Sequence, residues 1–248
     1  MTAPVALVTG ASSGIGAAVA RRLARRGDHV VLGGTDPAAI DRLARELGER
    51  TTPFVVDLAD RPRVASMVRR LPSLATVVLS AGVCRSARLD EDPDDEIWTR
   101  VLDVNLHAVH TVIKAAVPRM ELGGRIVAIA SGLGKLGRSG YTAYCASKHA
   151  VLGVVKCVAQ ELAPRGITVN AVCPGWVDTP MARADLDRRA AREGREVEAV
   201  RAAVSAVIPI GRMVAADEVA ALVEWLTSPA AAAVTGEAYN ISGGEFFA

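Results

Sequence analysis

Apolar residues along the chain fall into two patterns. Short runs at residues 5–9, 29–33, 54–57, 76–80, 125–130, 168–173 and 238–241 have the length and content of strands. Between them, at residues 15–26, 37–47, 61–71, 97–120, 144–163 and 216–227, apolar positions return every three to four residues, the period of a helix with a buried face. Strands that are apolar throughout, rather than at every second position, predict a parallel sheet covered on both faces. The intervening helices supply that cover, and right-handed crossovers place them on either side. The pattern predicts an α/β fold built on one doubly wound parallel sheet of about seven strands, with ligands at the C-terminal strand ends.

Two features depart from this rhythm. Residues 181–207 carry Arg183, Arg188, Arg189, Arg192, Arg195 and Arg201 among Asp185, Asp187, Glu193, Glu196 and Glu198. This reads as a mixed-charge helical pair with a break available at Gly194. The segments 101–117 and 148–163 are apolar around most of the helical circumference. One face of each can cover the sheet, and the other predicts a partner subunit.

Composition narrows the classes. The chain has 248 residues, half of them hydrophobic, enough for one α/β domain with an ample core. Its 29 basic and 27 acidic residues leave a net charge of +2, too even for a nucleic-acid footprint. Cys84, Cys145, Cys157 and Cys173 form no paired motif and sit among apolar neighbours, as small buried thiols in a reducing compartment do. No apolar run reaches the ~20 residues of a membrane span and no signal-like segment opens the chain, so a soluble, cytoplasmic protein is expected. His29, His107, His110 and His149 lack ligand spacing, and no metal is expected.

Chemistry is indicated first by the turn Thr9-Gly10-Ala11-Ser12-Ser13-Gly14-Ile15-Gly16 between the first strand and helix. Gly10 permits a tight turn, Gly14 lets the backbone approach a diphosphate, and Gly16 lets the helix pack closely on the strand. The helix N-terminus offers free N–H groups to that anion. No Gly-Lys-Ser/Thr follows at the right distance, which excludes a P-loop. The second signal is Tyr144-Cys145-Ala146-Ser147-Lys148. Residues four apart on a helix are neighbours, so the Lys148 ammonium is expected to draw the Tyr144 phenol down from its usual pKa of about 10. A phenol tuned that way can give a proton to a carbonyl oxygen or take one from an alcohol.

In order and spacing these motifs resemble those of the short-chain dehydrogenase/reductase family, over essentially the whole chain. Asn105 in Asp103-Val104-Asn105-Leu106 matches the family's helix asparagine, and Ser131 its substrate-binding serine. Pro174-Gly175 matches its nicotinamide-side loop, and Gly236 with Ser242-Gly243-Gly244 its last-strand signature. The resemblance implies a single Rossmann-type domain over 1–248, with 181–207 as a mobile lid over the substrate. It implies that Tyr144 donates or accepts the proton, while Lys148 lowers its pKa and holds the nicotinamide ribose. Ser131 would orient the substrate oxygen, and Asn105 would support a proton relay through a bend in its helix. The dinucleotide site would comprise Gly10, Ser12, Ser13, Gly14, Ile15 and Gly16, then Gly34 and Thr35, with Asp57 and Leu58 at the adenine. Ser80, Ala81 and Gly82 would follow, with Pro174, Gly175, Val177 and Thr179 at the nicotinamide side beside Tyr144 and Lys148. The family's usual assembly is a homotetramer built partly on the two apolar helices. In one departure, Leu79-Ser80-Ala81-Gly82 stands where the family has Asn-Asn-Ala-Gly, so Ser80 lacks the second bonding group of an amide.

Cofactor choice depends on the end of the second strand, where an NAD-preferring enzyme needs a carboxylate. That position is Gly34, followed by Thr35, so NADP(H) is favoured, with Thr35 and Ser13 as hydroxyl donors to a 2′-phosphate. NAD(H) is the alternative if Asp36 takes the acid's role. Residues 144–153 and 169–182 further resemble the ketoreductases of aromatic polyketide synthesis and the wider group of 3-oxoacyl thioester reductases. The leading substrate is therefore a β-keto thioester on a carrier protein or CoA. The enzyme alternative is a dehydrogenase of a cyclic or hydroxysteroid-like secondary alcohol. The remote one, a non-catalytic dinucleotide-binding protein, fits poorly with retention of all four polar positions.

Overall fold

The computed structural model describes residues 3–247. Strands β1 (Val5–Thr9), β2 (His29–Gly34), β3 (Thr51–Val55), β4 (Leu74–Leu79), β5 (Met120–Ile129) and β6 (Thr168–Pro174) alternate with helices. The helices are α1 (Gly14–Arg26), α2 (Pro37–Leu47), α3 (Arg61–Arg69), α4 (Glu96–Leu102) with α5 (Ala108–Ala116), and α6 (Thr142–Leu162). Then follow β7 (Val177–Asp178), α7 (Pro180–Glu193), α8 (Val197–Ala206), β8 (Val214–Ala215), α9 (Ala216–Leu226) and β9 (Ala238–Ile241). Seven strands form one parallel sheet in the order β3-β2-β1-β4-β5-β6-β9.

The pleat explains the unbroken apolar runs. Leu7, Val31, Val77, Ile126 and Ala128 pack into a cluster with α3, α5 and α6. Their neighbours Ala6, Val8, Val30, Val78 and Val127 pack on the opposite face with α1, α2 and α9. Successive side chains point to opposite faces, so a sheet covered twice needs apolar residues at every position.

Two predicted elements are corrected. β3 begins at Thr51, earlier than expected, because Val30 of β2 pairs with Thr51. It is an edge strand, where half-polar Thr51, exposed Thr52 and Pro53, which has no N–H, are tolerated. The predicted single helix at 97–120 is interrupted by a π-helical turn at Asp103–His107 and ends in a 3-10 turn at Val117–Arg119, after which β5 starts at Met120. A wide turn of one extra residue leaves the spacing of apolar positions nearly intact, so periodicity does not reveal it.

Residues 181–207 lie in a small unit of their own. Gly194, at φ 61, closes α7 in a left-handed conformation that suits glycine. Leu186, Ala190, Val200, Val204, Ile208 and Met213 form its core, packed against Trp176. β7 pairs with β8, which ties the two ends of this unit together. In α6, Val151, Leu152, Val155 and Ala159 are buried, while His149, Gly153, Lys156, Cys157 and Gln160 are exposed. Among the described residues no helix is long and apolar enough to cross a membrane.

Candidate active site

A cavity of about 540 Å³ opens along the C-terminal ends of β1, β4, β5 and β6. Strand order reverses between β1 and β4, the switch point where doubly wound sheets gather ligands. One end of the cavity is made by the glycine turn. Gly10 has φ 71, and a Cβ there would lie 2.7 Å from the Ala81 backbone; a Cβ on Gly16 would overlap the Gly10 carbonyl. A Cβ on Gly14 (φ 53) would lie 3.1 Å from Thr179 Cγ2, so the turn meets the loop after β6. This cradle is shaped by backbone and leaves the N–H groups of α1 facing the cavity, as a dinucleotide diphosphate requires.

Ser13 is the N-cap residue of α1, yet its hydroxyl makes no capping bond. Ser12, Ser13, Ile15 and Thr35 all line the cavity, with Ser13 and Thr35 exposed. Gly34 also lines it, but a Cβ there would approach Ile40 Cδ1 to 2.9 Å and Ser12 Cβ to 3.3 Å. Asp36 does not line the cavity and caps α2, its Oδ1 accepting from the Ala39 N–H at 3.1 Å.

Further along, Asp57 and Leu58 line the cavity. Asp57 accepts from the Ala59 N–H at 3.0 Å and from the Arg100 guanidinium at 3.1 and 3.2 Å. Partial desolvation pushes its carboxyl up, but the Ala59 N–H and Arg100 together outweigh it and leave the pKa lowered. Arg100 also lines the cavity and was not marked by the sequence, since nothing local links it to a residue so distant in the chain.

The loop after β4 is held from two sides. Thr9 Oγ1 accepts from the N–H groups of Ser80 at 3.2 Å and Ala81 at 3.3 Å. Asn105 is fully buried in the π-helical turn; its Nδ2 donates to Val83 O at 2.9 Å and its Oδ1 accepts from Val83 N at 2.8 Å. It also donates to Ser147 Oγ at 3.2 Å. These bonds fix the loop without an amide at position 80. Gly82 lies between the two polar groups behind it, where a Cβ would be 3.4 Å from Asn105 Oδ1 and 3.6 Å from Lys148 Nζ.

Ser131, Tyr144 and Lys148 line the same cavity, while Asn105 stands behind it. Ser131 Oγ accepts from Leu133 N at 3.1 Å at the start of a 3-10 turn, which fixes the hydroxyl at the end of β5. Lys148 is 4% exposed; its Nζ donates to Ile129 O at 2.9 Å and lies 5.7 Å from the Tyr144 ring centroid. The expected lowering of the Tyr144 pKa is corrected. Burial pushes the phenol above its ordinary value, the Cys84 thiol adds to this, and the hydrogen bond with Ser131 opposes it. Burial likewise lowers Lys148 to about 8. A low-dielectric pocket penalises both charged forms, and here that cost exceeds the attraction the spacing suggested.

At the nicotinamide-side loop, Pro174 ends β6 and Gly175 donates its N–H to Ile241 O at 3.1 Å. Val177 lies in β7, and both it and Thr179 line the cavity. The Thr179 hydroxyl caps α7, accepting from Ala182 N at 3.3 Å and donating to Val177 O at 3.3 Å, so it is already engaged within its own loop. The cavity is also lined by Tyr141, Glu245 and Phe246, which the sequence did not single out, and by Asp185 of the 181–207 segment. A Cβ on Gly132 would overlap the Phe246 ring, and Glu245 Oε2 accepts from Trp176 N at 3.2 Å. Among the described residues no group of His, Cys, Asp or Glu is placed to hold a metal.

A Rossmann-type sheet with a glycine turn and a Ser–Tyr–Lys cluster at its C-terminal strand ends defines an oxidoreductase. The profile of the family described as Enoyl-(Acyl carrier protein) reductase matches residues 10–245. A Streptomyces virginiae protein, named as a candidate ketoacyl reductase of the monensin polyketide synthase, is 40% identical over 98% of this chain and 97% of its own. The 3-oxoacyl-(acyl-carrier-protein) reductase FabG of Escherichia coli strain K12 is 34% identical over 98% of this chain and 97% of its own. The crystal structure of a variant actinorhodin polyketide ketoreductase with NADPH superposes with a TM-score of 0.89 at 37% identity, covering 98% of this chain and 97% of that one. The chain belongs to the short-chain dehydrogenase/reductase family.

Proposed function

We propose that this chain is an NADPH-dependent ketone reductase whose substrate is a β-keto thioester borne on a carrier protein or CoA. The observation that carries the reading is the meeting of Ser131, Tyr144 and Lys148 at one end of a cavity whose other end is the glycine cradle. When bound there, the reduced nicotinamide supplies the hydride. Ser131 and Tyr144 direct their hydroxyls at the substrate oxygen, which orients the carbonyl and stabilises the charge that develops on it. Tyr144 gives its proton to that oxygen. Burial holds the phenol above its ordinary pKa, so Tyr144 carries the proton it donates. Lys148, poised at about 8, can return a proton to the site, and Asn105 holds the loop against which it rests. At the other end, the α1 N-terminus and the Ser13 and Thr35 hydroxyls would hold the phosphates. Gly34 and Thr35 line the cavity there and the carboxylate of Asp36 does not, which supports NADPH over NADH. The similar actinorhodin enzyme solved with NADPH supports the same choice, and the carrier-protein reductases among the relatives support the thioester.

The test is NADPH oxidation with acetoacetyl-CoA as substrate. Tyr144→Phe is expected to lose about 10²–10⁴ in turnover while keeping NADPH affinity within a few-fold. Near-normal turnover by the folded variant would sink the assignment.

A further inference from the structure

Asp185 differs from every other acid in the 181–207 segment. Asp187, Glu193, Glu196 and Glu198 are exposed, as solvated helices require, whereas Asp185 is 5% exposed. Burying a carboxylate is costly unless it is well bonded. Its Oδ2 accepts from Tyr141 Oη at 2.7 Å, and its Oδ1 from Arg188 Nη2 at 3.0 Å. Tyr141 precedes α6 and sits about one helical turn before Tyr144, so the carboxylate is anchored to the part of the fold that carries the proton donor.

The two sides of this carboxylate are unequal. Asp185 and Tyr141 line the cavity, but Arg188 does not, and its side chain is 34% exposed. Arg188 holds the carboxylate from behind, its Nη2 also donating to Cys84 O at 3.3 Å, so the carboxylate rather than the guanidinium faces the site. Nearby Arg138 and Glu245 both line the cavity and pair at 3.5 Å, so they present both signs together. With one bond recorded to each oxygen, Asp185 keeps lone pairs for a further donor.

We propose that Asp185 determines specificity at the substrate end, rejecting ketones that carry a carboxylate beside the reacting carbonyl and accepting a hydroxyl or amide N–H from neutral ones. This rests on the ketone-reductase reading and deepens it: a free β-keto acid would set its charge against Asp185, whereas its thioester or ester would not. Specificity by repulsion needs only the fixed charge.

The experiment compares ethyl acetoacetate with acetoacetate in the native enzyme, Asp185→Asn and Arg188→Gln, taking the ratio of kcat/KM for ester over acid. Asp185→Asn keeps an oxygen for Tyr141 but removes the charge, and the ratio is expected to fall by about tenfold or more. Arg188→Gln removes the counter-charge and is expected to raise the ratio. An unchanged ratio in Asp185→Asn, or a fall in Arg188→Gln, overturns the proposal. If Asp185→Asn fails to fold, the Arg188→Gln result decides. The same ratio read by calorimetric binding to the NADP⁺-loaded proteins needs no turnover. Silence of both compounds and of acetoacetyl-CoA in the NADPH assay would therefore count against the reductase reading, and an unchanged binding ratio against Asp185.

Discussion

Replacing Lys148 with methionine removes a buried ammonium from the floor of the site, and its effect on stability should depend on pH in a definite direction. Burial lowers this group from 10.5 to about 8 in the folded chain. The unfolded lysine therefore holds its proton more tightly than the folded one. Between about pH 8 and 10.5 the unfolded state binds more protons, so stability rises with pH across that window. Below about pH 8 the full penalty is present, worth about 3 kcal/mol. The hydrogen bond to Ile129 O offsets about 1 kcal/mol of it. Lys148→Met is thus expected to be more stable than the native protein by about 2 kcal/mol near pH 7. From about pH 7 to about pH 9.5 the native protein should recover about 2 kcal/mol relative to the variant, or about 4–8 °C in Tm. Urea denaturation of both proteins at the two pH values measures this double difference, in which groups common to both largely cancel. A difference that stays flat with pH would show that Lys148 is not held as a destabilised cation, and the proton-return role assigned to it would fall with that result. The same variant should lose turnover, as expected of a residue retained for function at a cost in stability.

Three further outcomes are expected. Asn105→Ala would strip partners from both backbone groups of Val83 and should cost about 2–5 kcal/mol, seen as a lower melting temperature; an unchanged melt would mean the loop after β4 is held without it. Thr35→Arg should sharpen the NADPH preference by about tenfold in kcat/KM, and a shift towards NADH would refute the phosphate assignment. Gly34→Asp is the poorer test, because its Cβ would press on buried Ile40 and confound preference with stability. Light scattering should give the mass of four 25.9 kDa chains, with exposed Gly153, Lys156 and Cys157 of α6 in an interface, and a monomeric mass would refute that assembly.

The alternation of apolar runs and helical periods was enough to determine the α/β class and the parallel sheet, because both signals come from which faces must leave water. The glycine turn was legible for a related reason: Gly10 and Gly16 are demanded by contacts made within a few residues or with the neighbouring strand end. Tyr144 and Lys148 were legible because one helix spaces them. Their protonation was not, since it depends on how deeply the finished fold buries them, and burial reversed the direction that spacing alone suggested for Tyr144. The π-helical turn at Asp103–His107 was hidden because one extra backbone residue barely disturbs an apolar pattern, although it is what carries Asn105 to Val83. Arg100 on Asp57, Asp185 on Tyr141 and Phe246 over Gly132 join residues far apart in the chain. Sequence determined which local chemistry this protein carries. Only the tertiary structure decided which distant side chains wall the site and which charges face into it, because those depend on how the chain folds back on itself and on what each group then gives up in water.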